Sequence, residues 1–421
     1  MTRVQQTDVL VVGAGPTGLL AALALSQAGL SVEVIDEEWR PAGHSYALAL
    51  HPRSLRLLDE LGLAGDAIAR GRKLESLTLQ SGQESQATLV RCAIVDERFP
   101  FLLALPQSAL ESLLAERLAA KGIRVRWSQR LAGLETHGDG VTATVHKLEK
   151  ESAGYAVART EWAVGETLSV HAGFVVGADG HRSLVRRALA TRFEEVGPSQ
   201  VFAIFECDAP AVDDEMRLVL ERGLVNALWP LTENRARWSL ELQAPEVSAA
   251  DRFKSRLSTM LGEHFFPHLA EARTRELLRE RAAWFEKTAR EIGWSVEVRF
   301  ERRLADCFGR GRVWLAGDAA HLTGPAGMQS MNAGLGEAHD LASRVSRIRA
   351  GQAGLDLLDA YGSERLAEWR FLLGRAGGLR PGASTSPFVA ANADQLLACL
   401  PATGEDLTPL AAQLGLEVDR V

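Results

Sequence analysis

A glycine-rich turn near the start of the chain constrains its fold more than any other feature. The sequence Gly13-Ala14-Gly15-Pro16-Thr17-Gly18 lies between an apolar run at 7–12, typical of a buried strand, and an apolar helical stretch at 19–28. The first glycine allows a tight turn, the second lets backbone N–H groups approach a pyrophosphate, and the third lets the helix pack closely on the strand. Asp36 follows the next predicted strand, at 31–35, where an acid binds a ribose hydroxyl. These residues predict a β-α-β unit that binds a dinucleotide, with FAD and NAD both open.

The charge balance and the cysteines exclude several classes of protein. The 421-residue chain has 47 Lys and Arg against 54 Asp and Glu, a formal charge of -7, which repels a nucleic-acid backbone. Its four cysteines lie far apart without a C-x-x-C pair, which argues against a disulfide framework or a zinc site. Glycines and Asp8 interrupt the apolar stretch at 9–30, so it predicts a strand and a helix rather than a membrane span. We expect a cytoplasmic protein with no metal, nucleic-acid partner or membrane span.

A change in the hydrophobic pattern indicates a second domain. Short runs in the middle of the chain alternate apolar and polar residues, as half-exposed antiparallel strands do. A helical stretch at about 249–283 interrupts these runs, and the pattern of buried strand and helix returns from Arg312. The predicted fold class is α/β, with a Rossmann-like domain, a second domain built on a mostly antiparallel sheet, and a C-terminal helical segment. The predicted strands of the second sheet are 201–207, 216–220, 225–229, 237–242 and 294–300.

The length fits two or three domains at about 150 residues each. The first domain is predicted to be discontinuous because the patterning of its core resumes after the second sheet. The predicted boundaries are 1–73, 101–189 and 301–375 for the first domain, 74–100 and 190–300 for the second, and 376–421 for the C-terminal segment.

Two later motifs each place a carboxylate after a predicted strand. Asp179 lies between Ala178 and Gly180, after the apolar run 174–176. Asp318 follows the run 313–316, ahead of a glycine-rich loop and a helix. A carboxylate in such a place either fixes a neighbouring loop or accepts hydrogen bonds from a sugar-like polyol, and the free N–H groups of a helix start favour negative charge.

In this order and at these separations, three segments resemble the single-component FAD-dependent aromatic hydroxylases related to p-hydroxybenzoate hydroxylase. The segments are VVGAGPTGL at 11–19, GADGHRSLVR at 177–186 and RVWLAGDAAHLTGPAGMQSMNAGL at 312–335. The resemblance covers about residues 7–370. It implies an FAD-binding first domain that holds FAD in an extended form, NADH or NADPH as a transient cosubstrate, and a substrate pocket under the second sheet.

The resemblance also implies the roles of particular residues. Asp36 would contact the adenosine ribose, Gln107 and Asp318 the ribityl region, and 325–332 would flank the isoalloxazine ring. Asp179 would connect the FAD and nicotinamide regions. The implied cofactor-binding residues are Gly13, Gly15, Pro16, Thr17, Gly18, Asp36, Glu37, Gln107, Asp179, Gly317, Asp318, Pro325, Gly327, Gln329, Ser330, Met331 and Asn332.

The chain departs from the family pattern at several of these positions. Glu37 and Tyr46 stand where relatives often have arginine, Gly324 replaces a usual proline, and Met328 and Ser330 replace usual glycines. The pattern assigns no catalytic side chain, and we expect the flavin contacts to survive these changes.

The function expected from this resemblance is an FAD-dependent monooxygenase that uses NAD(P)H and O2 to hydroxylate an aromatic or polycyclic small molecule. Only six of the 47 basic residues are lysine, a bias typical of GC-rich bacterial genomes that favours natural-product tailoring. One alternative is a flavin-dependent oxidase or halogenase, although the W-x-W-x-I-P signature of many halogenases is absent. Another is a non-catalytic carrier with the FAD fold. The substrate, the choice between NADH and NADPH, and the oligomeric state stay open.

Overall fold

Two large sheets organise the structure, a computed structural model that describes residues 4–40, 47–82, 87–153, 159–210, 212–243 and 269–420. Its strands are β1 (Val4–Val12), β2 (Val32–Ile35), β3 (Ala49–Leu50), β4 (Arg72–Leu74), β5 (Ser76–Ser81), β6 (Ala87–Arg91), β7 (Leu102–Ala104), β8 (Gln129–Thr136), β9 (Val141–Ala153), β10 (Arg159–Gly177), β11 (Phe193–Asp208), β12 (Glu215–Glu221), β13 (Leu224–Pro230), β14 (Arg235–Leu242), β15 (Ile292–Ala305), β16 (Gly309–Arg310), β17 (Val313–Leu315), β18 (His321–Leu322), β19 (Gly378–Pro381) and β20 (Leu416–Asp419).

The helices lie mainly around the first sheet and in the C-terminal segment. They are α1 (Pro16–Gln27), α2 (Pro52–Glu60), α3 (Ala64–Arg70), α4 (Gln107–Ala120), α5 (Leu184–Ala188), α6 (Glu271–Arg281), α7 (Ala283–Glu286), α8 (Gln329–Arg349), α9 (Asp356–Leu372), α10 (Pro387–Ala391), α11 (Ala393–Cys399) and α12 (Leu407–Ala412).

The part of the first sheet that contains β1, the first strand of the chain, is parallel. Its order is β16-β17-β10-β1-β2, and β9 and β8 continue it from β10. Strand β1 pairs in parallel with β2 and β10, and β10 pairs in parallel with β17. Val9, Leu10 and Val11 in the second half of β1 are fully buried, as a strand covered on both faces requires, and α1 packs against α4 and α8. The predicted α/β fold class is confirmed for this part of the chain.

The second sheet has the order β18-β15-β11-β14-β13-β12-β5-β6, and most of its pairs are antiparallel. The sequence pattern predicts a half-exposed sheet, but β13 and β14 are buried along most of their length. The reason is a second core in which α6 and α7 cover one face: Trp238 of β14 packs edge-on against Phe285 of α7, with ring centroids 5.3 Å apart. Of the helical stretch predicted at 249–283, residues up to 268 lie outside the described residues.

The domain boundaries stay a prediction, and the two sheets can be compared with them strand by strand. Strands β5 and β6 lie in the second sheet, whereas β4 and β7, which precede and follow them in the chain, lie in the small sheet β3-β7-β4. Strand β18, which lies within the predicted first domain, also joins the second sheet. His321 pairs with Leu304, and Leu322 pairs with Arg303.

The C-terminal segment contains the expected helices, α10 to α12, and also a two-stranded antiparallel sheet of β19 and β20. The sequence analysis did not predict this sheet. Leu379 of β19 pairs with Val418 of β20, so the two ends of the segment meet. Within the described ranges, none of the helices combines the length and apolar character that crossing a bilayer takes.

Candidate cofactor and substrate site

Predicted site residues converge at one edge of the first sheet because the strands that precede them are parallel. Val12 of β1 lies opposite both Ile35 of β2 and Gly177 of β10, and Gly177 lies opposite Leu315 of β17. Ligands of open α/β sheets bind beyond the carboxyl ends of the strands, at such an edge. The residues that follow these four strands are Gly13, Asp36, Asp179 and Asp318.

The three glycines of the first turn have different roles. Gly13 has φ +107°, and a Cβ there would lie 2.2 Å from the carbonyl oxygen of Ala178. A Cβ on Gly18 would lie 2.0 Å from the carbonyl oxygen of Gly13, so both positions require glycine. A Cβ on Gly15 would meet no atom within 4 Å. Open space therefore faces Gly15, where α1 begins.

The start of α1 suits a pyrophosphate. Gly15 is its N-cap and Pro16 its first residue, and no side chain caps the helix. The uncapped N–H groups carry the positive end of the helix dipole, which favours an anion. A Cβ on Gly317 would lie 2.7 Å from Oγ1 of Thr17, so the turn that carries Asp318 packs directly against α1. The donor groups and the open space fit the phosphates of a dinucleotide that extends toward Asp318.

Asp36 is held beside the same turn. Its Oδ2 accepts a 2.6 Å hydrogen bond from the Ala14 N–H, and its Oδ1 accepts a 2.8 Å bond from the Glu38 N–H. Burial raises the pKa of this carboxyl group above its ordinary value, against the lowering effect of these two bonds. Glu37 is exposed next to it. These hydrogen bonds from the backbone fix the Asp36 carboxylate at the place where it is predicted to contact the ribose.

Gln107 leads to a buried acid that the sequence analysis missed. At the start of α4, its Nε2 donates a 2.7 Å hydrogen bond to Oε1 of Glu111. Glu111 is 5% exposed, and burial raises the pKa of its carboxyl group to about 7, with Asp36 adding to the rise. A glutamate beside the apolar face of α4 is the signal that could have identified it. Glu111 therefore orients Gln107 from inside the protein.

Asp318 is exposed on a short 3-10 turn and receives a 2.6 Å hydrogen bond at Oδ1 from the Ser330 hydroxyl. The sequence places Ser330 near the start of α8, but Met328 is the N-cap of that helix, at φ +52°, and no side chain caps it. The Ser330 oxygen also lies 3.5 Å from Nδ1 of His321. Ser330 therefore links the exposed acid to the buried histidine.

His321 is part of a fully buried cluster. Its Nε2 lies 2.9 Å from Oε2 of Glu337, which also accepts the Gly317 N–H at 2.8 Å. Trp369 stacks on the imidazole at 3.7 Å and donates its Nε1–H to Oε1 of Glu337 at 2.7 Å. Although burial raises the pKa of Glu337, the charge of His321 and these hydrogen bonds hold it below its ordinary value. Glu337, which the sequence analysis missed, anchors the turn of Gly317 and Asp318.

Two side chains implied to contact the flavin bind other parts of the protein. Gln329 donates through Nε2 to the carbonyl oxygens of Leu397 at 2.7 Å and Leu400 at 3.1 Å. Asn332 accepts from the His51 N–H at 2.8 Å and from the hydroxyl of Ser54 at 2.7 Å. These contacts hold the loop in place, and they engage Nε2 of Gln329 while its Oε1 has no hydrogen-bond partner among the described residues.

The rest of this loop is buried. Pro325, Gly327 and Met331 lie inside the protein. A Cβ on Gly327 would lie 2.8 Å from the carbonyl oxygen of Ala398. The Gly327 carbonyl accepts a 2.9 Å hydrogen bond from Nε2 of His51, whose pKa burial lowers to about 3, so this imidazole is neutral at pH 7. His51 therefore supports the loop and does not supply charge.

Asp179 caps the start of α5. Its Oδ1 accepts the Ser183 hydroxyl at 2.5 Å, and its Oδ2 accepts the N–H groups of Leu184 at 2.6 Å and Val185 at 3.1 Å. Burial raises the pKa of its carboxyl group. Of the two roles open from the sequence, the structure shows the one that fixes a neighbouring loop, and contact with a cofactor stays a prediction. Tyr46 lies outside the described residues.

Two cavities border the second sheet. One, of about 230 Å³, lies at the start of α4, where Glu206 pairs with both Arg235 and Arg237 and so balances part of their charge. The other, of about 150 Å³, lies between the second sheet, the loop at Gly324 and helix α11. The second cavity adjoins the loop that is predicted to flank the flavin ring.

The fold and this edge define a class: an α/β dinucleotide-binding protein joined to a second, antiparallel sheet. A family model described as FAD binding domain matches residues 6–373. The chain belongs to this FAD-binding family, and the predicted resemblance to FAD-dependent aromatic hydroxylases is confirmed.

Among its relatives is 6-methylpretetramide 4-monooxygenase of Streptomyces rimosus, 31% identical over 85% of this chain and 59% of the relative. Pentachlorophenol 4-monooxygenase of Sphingobium chlorophenolicum is 27% identical over 85% of this chain and 61% of the relative. This chain therefore spans about three fifths of these two proteins. The crystal structure of p-nitrophenol 4-monooxygenase from Pseudomonas putida DLL-E4 has the same fold, with a TM-score of 0.71, 20% identity and coverage of 98% of this chain and 94% of that one.

Proposed function

We propose that this protein is an FAD-dependent monooxygenase that uses NAD(P)H and O2 to hydroxylate a small aromatic molecule. The observation that carries the proposal is that Gly15, Asp36 and Asp318 lie at the same edge of the first sheet. Gly15 is the proposed partner of a pyrophosphate, Asp36 of a ribose and Asp318 of a polyol. The monooxygenase names of the relatives support the reaction type. The relative named as acting on 6-methylpretetramide supports natural-product tailoring, which we include in the proposal with a cytoplasmic location.

In the proposed reaction, the substrate, O2, NAD(P)H and a proton give the hydroxylated product, NAD(P)⁺ and water. Bound FAD supplies the redox chemistry, accepting the hydride and activating O2. The chain's own residues would bind and orient the cofactor and exclude water from the site. Gly15 and the start of α1 would hold the phosphates of FAD, Asp36 and Asp318 would orient its sugar-like parts, and the buried loop of Gly327 would keep solvent from the site.

The rigid support of this loop matters because hydroxylation requires a site with little water. His51 and Asn332 hold the loop from the side of α2, and Gln329 holds it from the C-terminal segment. The cavity of about 150 Å³ lies directly against it and is the proposed substrate pocket.

The decisive experiment is turnover under isotopically heavy O2 with mass analysis of the product, on protein whose FAD content is first established by its absorption spectrum. We expect a yellow protein with noncovalent FAD and one labelled oxygen atom in the product. A product that loses hydrogen without gaining oxygen would favour the oxidase, and a chlorinated or brominated product the halogenase. FAD binding without any NAD(P)H oxidation in the presence of phenols or polyketides would favour the carrier.

A further inference from the structure

The larger cavity of the protein opens beside the predicted path of FAD. Its volume is about 230 Å³, and it is lined by Gln107, which is predicted to contact the ribityl region of FAD. Among the described residues, it shares none of its lining with the proposed substrate pocket. Ser108, Thr232 and Glu233 also line it and are exposed, so a ligand can enter from solvent. An open cavity next to the cofactor suits a cosubstrate that binds transiently.

Arg235, at the start of β14, has a fixed position on the wall of this cavity. Its Nη2 lies 2.9 Å from Oε2 of Glu206, whose Oε1 accepts the Nε–H of Arg237 at 2.9 Å. Glu206 and Arg237 are buried, whereas the Arg235 side chain is 38% exposed. In the part of the chain that the structure describes, Nε and Nη1 of Arg235 have no hydrogen-bond partner. Arg235 can therefore donate to a ligand in the cavity.

Glu233 supplies an acceptor from the tight turn between β13 and β14. The Leu231 N–H donates to the Arg235 carbonyl at 2.7 Å, and the two central residues of the turn, Glu233 and Asn234, have φ of +56° and +59°. Such turns favour asparagine and glycine, so a glutamate there has a conformational cost. Strained residues of this kind are concentrated at binding sites. Glu233 forms no ion pair with any described residue, so its carboxylate is available to a ligand.

The lining of the cavity matches a neutral polar group rather than a simple anion. Arg235 and Arg237 are balanced by Glu206 and Glu233. The donor on Arg235 and the acceptor on Glu233 are complementary to a primary amide, which has a carbonyl oxygen and an N–H2 group. Trp294 of β15 adds a flat ring to the same lining, and the Arg237 guanidinium lies 5.4 Å from its ring centroid. An aromatic ring that carries a carboxamide fits all three features.

We propose that this cavity binds the nicotinamide ring of the NAD(P)H cosubstrate. Arg235 donates to the carboxamide oxygen, Glu233 accepts from its N–H2 group, and Trp294 packs against the ring. The cavity of about 230 Å³ exceeds the ~150 Å³ that holds benzene, so it accommodates a six-membered ring with a carboxamide. This inference rests on the proposed function, because it locates the cosubstrate of that reaction.

The test is calorimetric titration of the oxidised, FAD-loaded protein with oxidised nucleotides, so that no hydride is transferred. The probes are NAD⁺ and NADP⁺ and, for whichever binds more tightly, the analogues in which 3-acetylpyridine or nicotinic acid replaces nicotinamide. Acetylpyridine keeps the carbonyl oxygen but lacks the N–H2 group, and nicotinic acid has a negative charge in its place. We expect the nicotinamide nucleotide to bind at least about fivefold more tightly than either analogue, since hydrogen bonds to charged groups contribute this factor or more.

Two substitutions at Glu233 identify the acceptor. Glu233→Leu should reduce the preference over acetylpyridine to below about twofold and leave the affinity for the acetylpyridine nucleotide unchanged, because only the N–H2 contact is lost. Glu233→Gln keeps an uncharged acceptor, so it should retain part of this preference and lose the rejection of nicotinic acid. The matched control is Glu280→Leu, at an exposed position of α6, and it should change neither preference.

Arg235→Met tests the donor. It should weaken binding of the nicotinamide and acetylpyridine nucleotides by about tenfold each and leave the ratio between them unchanged, because both have the carbonyl oxygen that Arg235 contacts. The control is Arg222→Met at the turn between β12 and β13, where the side chain is 82% exposed, and it should leave both affinities unchanged.

Equal binding of the nicotinamide and acetylpyridine nucleotides by the wild type, or an unchanged preference in Glu233→Leu, would overturn the inference. So would failure of both NAD⁺ and NADP⁺ to bind. FAD content and NAD(P)H oxidation are measured on the same preparations. Protein that oxidises NAD(P)H without these preferences refutes only the location of the ring, whereas protein that holds FAD and oxidises neither nucleotide refutes the proposed function.

Discussion

Ser330 donates a hydrogen bond of 2.6 Å to Asp318, and the same hydroxyl oxygen lies 3.5 Å from the buried imidazole of His321. An exposed acid at the cofactor edge is thereby connected to a cluster with no access to solvent. The roles of Asp318 and Ser330 in FAD binding can be distinguished by mutation because only Asp318 carries a charge.

Asp318→Ala should weaken FAD binding by about 10- to 100-fold, since hydrogen bonds to a charged acceptor contribute about 1.5 to 3 kcal/mol. Ser330→Gly should weaken it less than about fivefold, because water can replace the hydroxyl at an exposed carboxylate. The measurement is FAD titration of the apoprotein followed by flavin fluorescence. Equal losses in the two variants would mean that Ser330 contacts FAD directly.

Gly15→Ala should weaken FAD binding without destabilising the apoprotein. The new methyl group enters the open space at the start of α1, and Gly15 has φ -72°, which alanine adopts freely. Gly18→Ala is the contrasting variant, because its Cβ would overlap the Gly13 carbonyl oxygen and cost about 3 kcal/mol of folding stability. Urea unfolding of both apoproteins, beside FAD titration, checks this. Unchanged FAD affinity in Gly15→Ala would place the pyrophosphate elsewhere.

Glu337→Gln should lower the free energy of unfolding by about 3 to 5 kcal/mol, because it breaks a fully buried pair with His321. Glu60→Gln provides the control. Glu60 pairs with His339 at 3.1 Å, but its side chain is 59% exposed, so the expected loss is below about 1 kcal/mol. Urea unfolding at pH 7 distinguishes the two. Similar small losses in both variants would show that the buried pair does not anchor the turn of Gly317.

Glu111→Gln should change how stability depends on pH. A carboxyl group whose pKa rises to about 7 on folding stabilises the fold in its protonated form, so this contribution is complete below the unfolded pKa and is lost as pH rises through 7. Relative to Glu111→Gln, the wild-type apoprotein should lose up to about 3 kcal/mol between about pH 4.5 and pH 8. The control, Glu116→Gln on the exposed face of α4, should not reproduce this change. Parallel stability curves for wild type and Glu111→Gln would contradict the prediction.

The sequence predicts local structure well where the pattern depends on neighbours in the chain. The first β-α-β unit forms as predicted, with β1 ending at Val12 and α1 beginning at Pro16, and Gly29 has positive φ after α1. Contacts between distant segments are not predictable in this way. Gln329 binds a backbone 68 residues away, and Asn332 binds one 281 residues away, so their motif position could not show that their side chains support the loop.

The lack of information on contacts between distant segments also explains why the sequence analysis missed the two buried acids and the burial of the second sheet. Glu111 and Glu337 are buried carboxyl groups within helices, and a single sequence gives them no partner. The alternation in β13 and β14 predicts one exposed face, and only the packing of α6 and α7 reveals a cover. The β19–β20 pair joins residues about forty positions apart, with helices α10 to α12 between them.

The attachment of α11 uses peptide carbonyl groups as its acceptors. Gln329 binds the oxygens of Leu397 and Leu400, which any amino acid at those positions would present in the same place. Substitutions along the outer part of this segment can therefore accumulate without loosening its attachment. A protein built in this way can acquire a new ligand preference by local mutation of one short helix, while the machinery that holds the cofactor stays unaltered.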